Sequence, residues 1–162
     1  MPTIRVPTIT VQTFSFDVFD TCVTRCYAEP TDLFESLFAQ LLTQTDCPIH
    51  HQPTAAKTLA QQRILAERTA RKNRLHKNRS HPKEIEREEI QMTDIYHLLA
   101  PQLAQYGLSA NQAMTTEIEC ECSILSPILS TQQQIKQLRA QGHRIGFISD
   151  MYLPTAVVHQ IL

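Results

Sequence analysis

Three polar side chains at the ends of apolar, β-prone runs are the first places where this sequence could do chemistry. The segment TFSFDVFDTCVTR, residues 13–25, delivers Asp17 and Asp20 at the close of an aromatic stretch. A carboxylate withdrawn from water there costs several kcal/mol unless it is paired, hydrogen-bonded or metal-bound. The segment HRIGFIS, residues 143–149, ends in a hydroxyl, Ser149, followed by Asp150. Ser149 and Asp150 read as an N-cap pair, and a helix N-terminus also favours anions. An acid and a hydroxyl delivered to one crevice would make a site.

The elements needed to position these residues can be read from periodicity. Residues 11–17 carry Val, Thr and Phe and predict a buried strand. Pro30 suits the first turn of a helix, and LFESLFAQLL (33–42) has helical spacing. DCPIHHQP (46–53) reads as a breaker. Residues 54–79 predict a long helix with an Ala/Leu/Ile stripe, ended by HPKE at 81–84. A helix from Thr93 stops at Gly107, and SANQ (109–112) has the form of a capping box opening the next. Ser126 and Pro127 read as N-cap and first helical position of a helix running to Gly142. The strand at 143–149 follows, then a helix from about Leu153. The helix before that strand can act as a right-handed crossover, making the two strands parallel neighbours. Asp17 and Ser149 then leave the sheet at the same, carboxyl-terminal end, where parallel α/β sheets bind ligands.

FDVFDTCVTR together with GFISDMYLP resembles the first and second motifs of the haloacid dehalogenase-like superfamily, in particular a bacterial subgroup with FDVFDT and SDMYLP motifs. QQRILAERTAR, DIYHLLA and TTEIECECSI also resemble that subgroup, so the likeness runs from about residue 13 to 162. It implies an α/β fold: a Rossmann-like core at 11–25 and 126–162, with a large helical cap inserted at 26–125. It implies Mg²⁺-dependent hydrolysis of a small phosphorylated metabolite, with Asp17 as nucleophile and metal ligand and an aspartyl-phosphate intermediate. The Phe19 main-chain carbonyl corresponds to a second metal ligand. Ser149 corresponds to the phosphate-oxygen donor, Thr21 to the first-motif threonine, and Asp150 adjoins the phosphate site. Asp20 stands where relatives often have glycine and is expected to brace its loop through backbone N–H groups.

Two departures qualify what the resemblance implies. Phosphatases of the family carry an acid two residues after the nucleophile; Phe19 cannot move a proton. A missing general acid lowers rates about 10²–10⁴-fold, and the dehalogenase branch also lacks an acid there. The third and fourth motifs, a basic residue for phosphate and further acids for Mg²⁺, are not in the sequence. The core is therefore expected to be incomplete, with two parallel strands, and the chain inactive or weakly active, as in a split gene or a frameshifted remnant. Self-association or a complementing C-terminal chain would complete it. The rival expectation is a non-catalytic remnant or interaction module completed by a partner chain.

Bulk composition narrows the partners. The 162 residues carry a net charge of −1 with 19% charged residues, so neither nucleic acid nor a membrane surface is favoured. No apolar run approaches the ~18 residues of a membrane span, and MPTIRVPTIT lacks a signal-peptide apolar region. A cytoplasmic location is expected, with the five cysteines reduced. Residues 63–83 hold eight of the 15 basic residues and one acid, Glu67, which reads as a solvated helix face. Arg63 and Arg68 have the reach to read a substrate if their face is inward, and the sequence leaves the face open. Arg25 is expected to pair with Asp20 or a neighbouring acid rather than to bind substrate.

Overall fold

A computed structural model describes residues 11–27, 29, 31–81 and 89–162. The expectations for Pro30 and for most of HPKE lie outside them. The chain is mixed α/β and mostly helical. It divides into two compact units. One comprises Met1–Thr24 with Ser126–Ser149, the other Arg25–Leu125 with Asp150–Leu162. Among the described residues no helix is long and apolar enough to cross a membrane.

The first unit is built on strand β1 (Thr13–Asp17), which pairs in parallel with the late strand β4 (Arg144–Ile148). Their register runs from Thr13 opposite Arg144 to Asp17 opposite Ile148. The expected parallel pairing is therefore present, although the two strands lie more than a hundred residues apart in the chain. The strand itself is not buried: Phe14 and Phe16 are half-buried, while Thr13, Ser15 and Asp17 are exposed. A two-stranded sheet has too little area to enclose both faces. Its packing is supplied next door. Val18, Phe19 and Cys22 in the loop after β1 and Val23 just beyond it are all buried, and so is Ile135 on α5 (Leu129–Ala140), the helix leading into β4.

Ser126 and Pro127 do not cap that helix. They belong to a short strand, β3 (Leu125–Pro127), paired with β2 (Val23–Arg25), and the helix starts at Leu129 with Ile128 as N-cap. Strand pairing took the two residues because Pro is acceptable at a strand edge and an extended Ser needs no helix to cap. The Ile128 N–H donates to the Cys22 carbonyl at 2.9 Å, which ties the helix start to the loop after β1. Gly142 ends the helix at φ 84°, as the sequence predicts.

The second unit is a helical assembly. Helix α1 (Asp32–Leu42) buries Leu33, Phe34, Leu37, Phe38, Leu41 and Leu42, pairs at i, i+1 that repeat each turn. The breaker at 46–53 contains one 3₁₀ turn, Ile49–His51, and Gln52 and Pro53 already open α2 (Gln52–Ser80). Helix α2 faces inward with Ala55, Ala56, Leu59, Ala60, Arg63, Ala66 and Ala70. Helix α3 (Met92–Ala104) buries Met92, Ile95, Tyr96, Leu99 and Leu103, and its Asp94 carboxylate accepts from the Gln91 N–H at 2.9 Å. Gly107, at φ 72°, turns the chain toward α4 (Ala110–Ile124). Ser109 accepts from the Gln112 N–H at 3.1 Å, the first half of the expected capping box. The Gln112 side chain donates to Gln44 at 3.4 Å. The last helix, α6, spans Thr155–Ile161 with Pro154 before it, two residues later than the sequence suggests.

Candidate functional site

In the sheet unit, β1 and β4 place the residues expected to do chemistry. Asp17 closes β1 and its side chain is exposed; Ser149, half-buried, follows directly on Ile148, its register partner. Parallel order sends both residues out of the same, carboxyl-terminal end of the sheet. Asp17 therefore does not incur the desolvation that its neighbours in sequence suggest. It remains an exposed, oxygen-donating carboxylate.

The loop that follows is fixed by its own backbone. The Cys22 and Val23 N–H groups both donate to the Val18 carbonyl, at 2.8 and 3.1 Å, and the Asp20 N–H donates to the Val23 carbonyl at 2.7 Å. Closing so short a loop puts Asp20 at φ 56°, the left-handed region that Gly adopts freely and Asp tolerates better than most. This accounts for an acid at a glycine-like position and corrects its expected role. Among the described residues no hydrogen bond to the Asp20 carboxylate is found; backbone groups do the bracing. Thr21 is half-buried in the same loop.

Phe19 is 8% exposed. Its ring is a core residue of the loop, so any metal contact from this residue must come from its main chain. Burial pushes the Cys22 thiol up from its ordinary pKa, and the negative charge of Asp17 pushes it further the same way. Asp150 is exposed and opens the final segment of the helical unit, so it does not share the sheet unit with Ser149.

Among the described residues no group of three or more His, Cys, Asp or Glu side chains is arranged to hold a metal ion. One carboxylate and one main-chain carbonyl suit a hard cation such as Mg²⁺ only where water and phosphate oxygens complete the shell, a common mode for that ion. All five cysteines are unpaired.

The helical unit holds a second polar cluster that sequence reasoning did not find. Arg63 is fully buried. Its Nε donates to Glu117 Oε2 at 2.8 Å, one terminal nitrogen donates to Glu117 Oε1 at 2.7 Å, and the other donates to Glu67 at 2.9 Å. The Tyr96 hydroxyl donates to Glu117 Oε2 at 2.6 Å. The guanidinium carbon lies 4.5 Å from the Phe34 ring centroid, 5.0 Å from Tyr152 and 5.9 Å from Tyr96. Burial by itself would lower the Arg63 pKa, but the facing Glu117 charge and its hydrogen bonds more than reverse this, so the guanidinium stays charged. Burial raises the pKa of Tyr96 and Tyr152 above the ordinary phenol range, and the Glu117 charge adds to it.

One turn along α4, Glu121 takes Arg25 through a single oxygen: Nε, at 2.7 Å, and a terminal nitrogen, at 2.5 Å, both reach its Oε1. Arg25 thus pairs with an acid remote in sequence. Arg63, a candidate substrate reader, is spent on structure, while Arg68 is exposed. A signal was available: Arg63 falls on the Ala/Leu stripe of α2, and Glu117 and Glu121 follow Ala113 at i+4 and i+8.

Neither protein-family models nor curated proteins give a match to this sequence.

Proposed function

We propose that this chain carries the nucleophile and phosphate-contact residues of a haloacid dehalogenase-like phosphohydrolase acting on a small phosphorylated metabolite. The observation that supports the reading is the register: Asp17 stands opposite Ile148, so Asp17 and Ser149 leave adjacent parallel strands at the same end. That end of a parallel sheet is where ligands bind in open α/β folds.

In this reading an Asp17 carboxylate oxygen attacks phosphorus as the ester P–O bond breaks, and the departing alkoxide takes a proton from solvent. Water then attacks the same phosphorus, releasing inorganic phosphate and restoring Asp17. Ser149 donates its hydroxyl to a phosphate oxygen, and Thr21 flanks the group. Asp17 and the Phe19 carbonyl would hold Mg²⁺, which would offset the charge of the incoming phosphate. Phe19 supplies no proton transfer, so turnover is slower than that of an acid-bearing relative by about 10²–10⁴-fold. The test is Mg²⁺-dependent phosphate release from a panel of small phosphoesters by the purified chain. Turnover abolished by Asp17→Asn supports the reading, and turnover that survives the substitution removes Asp17 from the role. Metal-independent halide release from a haloacid would move the protein to dehalogenase chemistry.

A second reading is a non-catalytic module whose sheet is completed by a second copy or a separate complementing chain. It is favoured by the outer edges of β1 and β4, each unpaired among the described residues. Light scattering tests self-association: a concentration-independent monomer counts against it.

A further inference from the structure

Basic side chains crowd the second half of α2, and composition alone assigns them to a solvated face. Arg74 departs from that pattern. Its side chain is 13% exposed, yet among the described residues its one ion pair is with Asp94 at 3.8 Å, too long for a hydrogen bond. Arg71, three residues earlier, shows the contrast: it is exposed, and its guanidinium is bonded to Glu67 at 3.1 Å and to Glu89 at 3.0 Å. The N–H donors of Arg74 are therefore largely unspent in a place with little access to water. Arg74 lines a cavity of about 250 Å³ that lies wholly within the helical unit. Asn73 and Lys77 line it from α2, and Asp94 and His97 from α3. Arg74 and Lys77 stand at i and i+3 on one helix, Asp94 and His97 at i and i+3 on the other, so each pair shares a face. The Lys77 ammonium and the His97 ring have no hydrogen-bond or ion-pair partner among the described residues. The one acid of the cavity is engaged elsewhere as well, because the Asp94 carboxylate accepts from the Gln91 N–H at the start of α3. Lys77 also lies in the last turn of α2, where the helix dipole favours a cation. That accounts for Lys77 alone, not for a half-buried Arg74 or for His97 on the facing helix.

We propose that this cavity binds the phosphate group of a small ligand, with Arg74, Lys77 and His97 as donors and the Asn73 amide as a further one. A carboxylate is satisfied by one guanidinium fork. Donors arriving from several side chains on two helices suit a tetrahedral dianion, which accepts on more than two oxygens. The volume holds a phosphate and a few attached atoms, and falls below the roughly 300 Å³ at which pockets for larger ligands begin. The site is independent of the function proposed above. It offers no nucleophile, and it needs no Mg²⁺ because the side chains themselves supply the positive charge.

The experiment is a titration of inorganic phosphate into the isotope-labelled full chain, without Mg²⁺ and against sodium chloride of equal ionic strength, followed by nuclear magnetic resonance. Saturable shifts are expected at the Arg74 Nε–H and at the amides of Asn73, Lys77 and His97, with none from chloride. Arg74→Gln is expected to weaken binding by roughly tenfold or more, and Lys77→Gln by about three- to tenfold, since each removes a charge-assisted hydrogen bond. Lys77 is exposed, so its variant decides the matter if Arg74→Gln does not fold. Lys72→Gln removes the same charge from an exposed position of α2 outside the cavity and should leave the affinity unchanged. An equal loss there marks general attraction to a basic helix and overturns the proposal. So do shifts that follow chloride and phosphate alike, and shifts confined to the loop after β1, which would report binding at Asp17 instead. Succinate, a dicarboxylate, is the third titrant and is expected to bind more weakly. Equal affinity for succinate overturns the assignment to phosphate.

Discussion

The guanidinium of Arg63 forks onto both carboxylate oxygens of Glu117, and neither residue has significant access to water. Breaking such a pair from one side leaves an uncompensated buried charge, a loss of about 3–5 kcal/mol. Glu117→Ala and Arg63→Ala are each expected to destabilise the helical unit by that amount, measured by chemical denaturation. Because the penalty comes from the orphaned charge, the double variant Arg63→Met with Glu117→Leu should recover much of it. Additive losses in the double variant would show that the pair is not coupled.

The same cluster makes stability depend on alkaline pH. Tyr96 and Tyr152 are held as neutral phenols by burial above all; the Glu117 charge adds to the rise and the Arg63 charge offsets part of it, so both titrate higher in the folded chain than in the unfolded one. Between the unfolded value, about 10, and the raised folded values, the unfolded chain binds fewer protons. Stability from these phenols is therefore complete below about pH 10 and falls as pH rises above it, by up to about 1.4 kcal/mol per pH unit for each tyrosine. Tyr96→Phe should flatten that fall by one proton's worth. Denaturation midpoints from pH 9 to 11 measure the slope, and an unchanged slope in the variant removes Tyr96 from the account.

The parallel pairing of β1 with β4 was legible because Asp17 and Ser149 end β-prone runs and a helix with a clear C-terminal glycine precedes the second. The helices were legible for a related reason: their apolar stripes repeat cleanly, as Leu33, Phe34, Leu37 and Phe38 do on α1. What escaped was set by partners remote in sequence. Ser126 and Pro127 carry a local helix-start signal that pairing with Val23–Arg25 overrides. At Asp20 the only sign of a left-handed residue was the glycine common at that position in the resembling family; the closing bond from the Asp20 N–H to the Val23 carbonyl was not legible. The Arg63–Glu117 pair joins residues 54 positions apart, and charge alone assigns both to solvent. Only their register on otherwise apolar or small-residue stripes says the opposite.

Phe19 separates packing from chemistry. An acid at this position would serve as a proton donor in a phosphohydrolase, but the side chain is 8% exposed and lies in the packed part of its loop. Phe19→Asp is expected to lose the buried ring and strand a carboxylate, for a stability loss of about 3 kcal/mol or more. Phe19→Leu should lose less. Thermal denaturation of the two variants ranks them, and equal stability would mean that the ring is not a core residue.

Cys22 offers a readout of the Asp17 carboxylate that needs no substrate. The Cys22 thiol is raised first by burial and second by the Asp17 charge, so removing that charge should lower its pKa part of the way toward the ordinary value while burial keeps it elevated. The expected result for Asp17→Asn is faster alkylation of Cys22 at a fixed pH near 8, because more of the thiol is then ionised. Peptide mass mapping separates Cys22 from the other four cysteines. Mg²⁺ held at Asp17 would act in the same direction, since a cation beside the carboxylate cancels the field that holds the proton on sulfur. Titrating Mg²⁺ into the unmodified chain should therefore raise the Cys22 rate in a saturable way and leave Asp17→Asn unaffected. A rate indifferent to both the substitution and the metal would place the Asp17 charge too far from Cys22 to matter. A response to the substitution but not to Mg²⁺ would keep the carboxylate in place and deny it the metal.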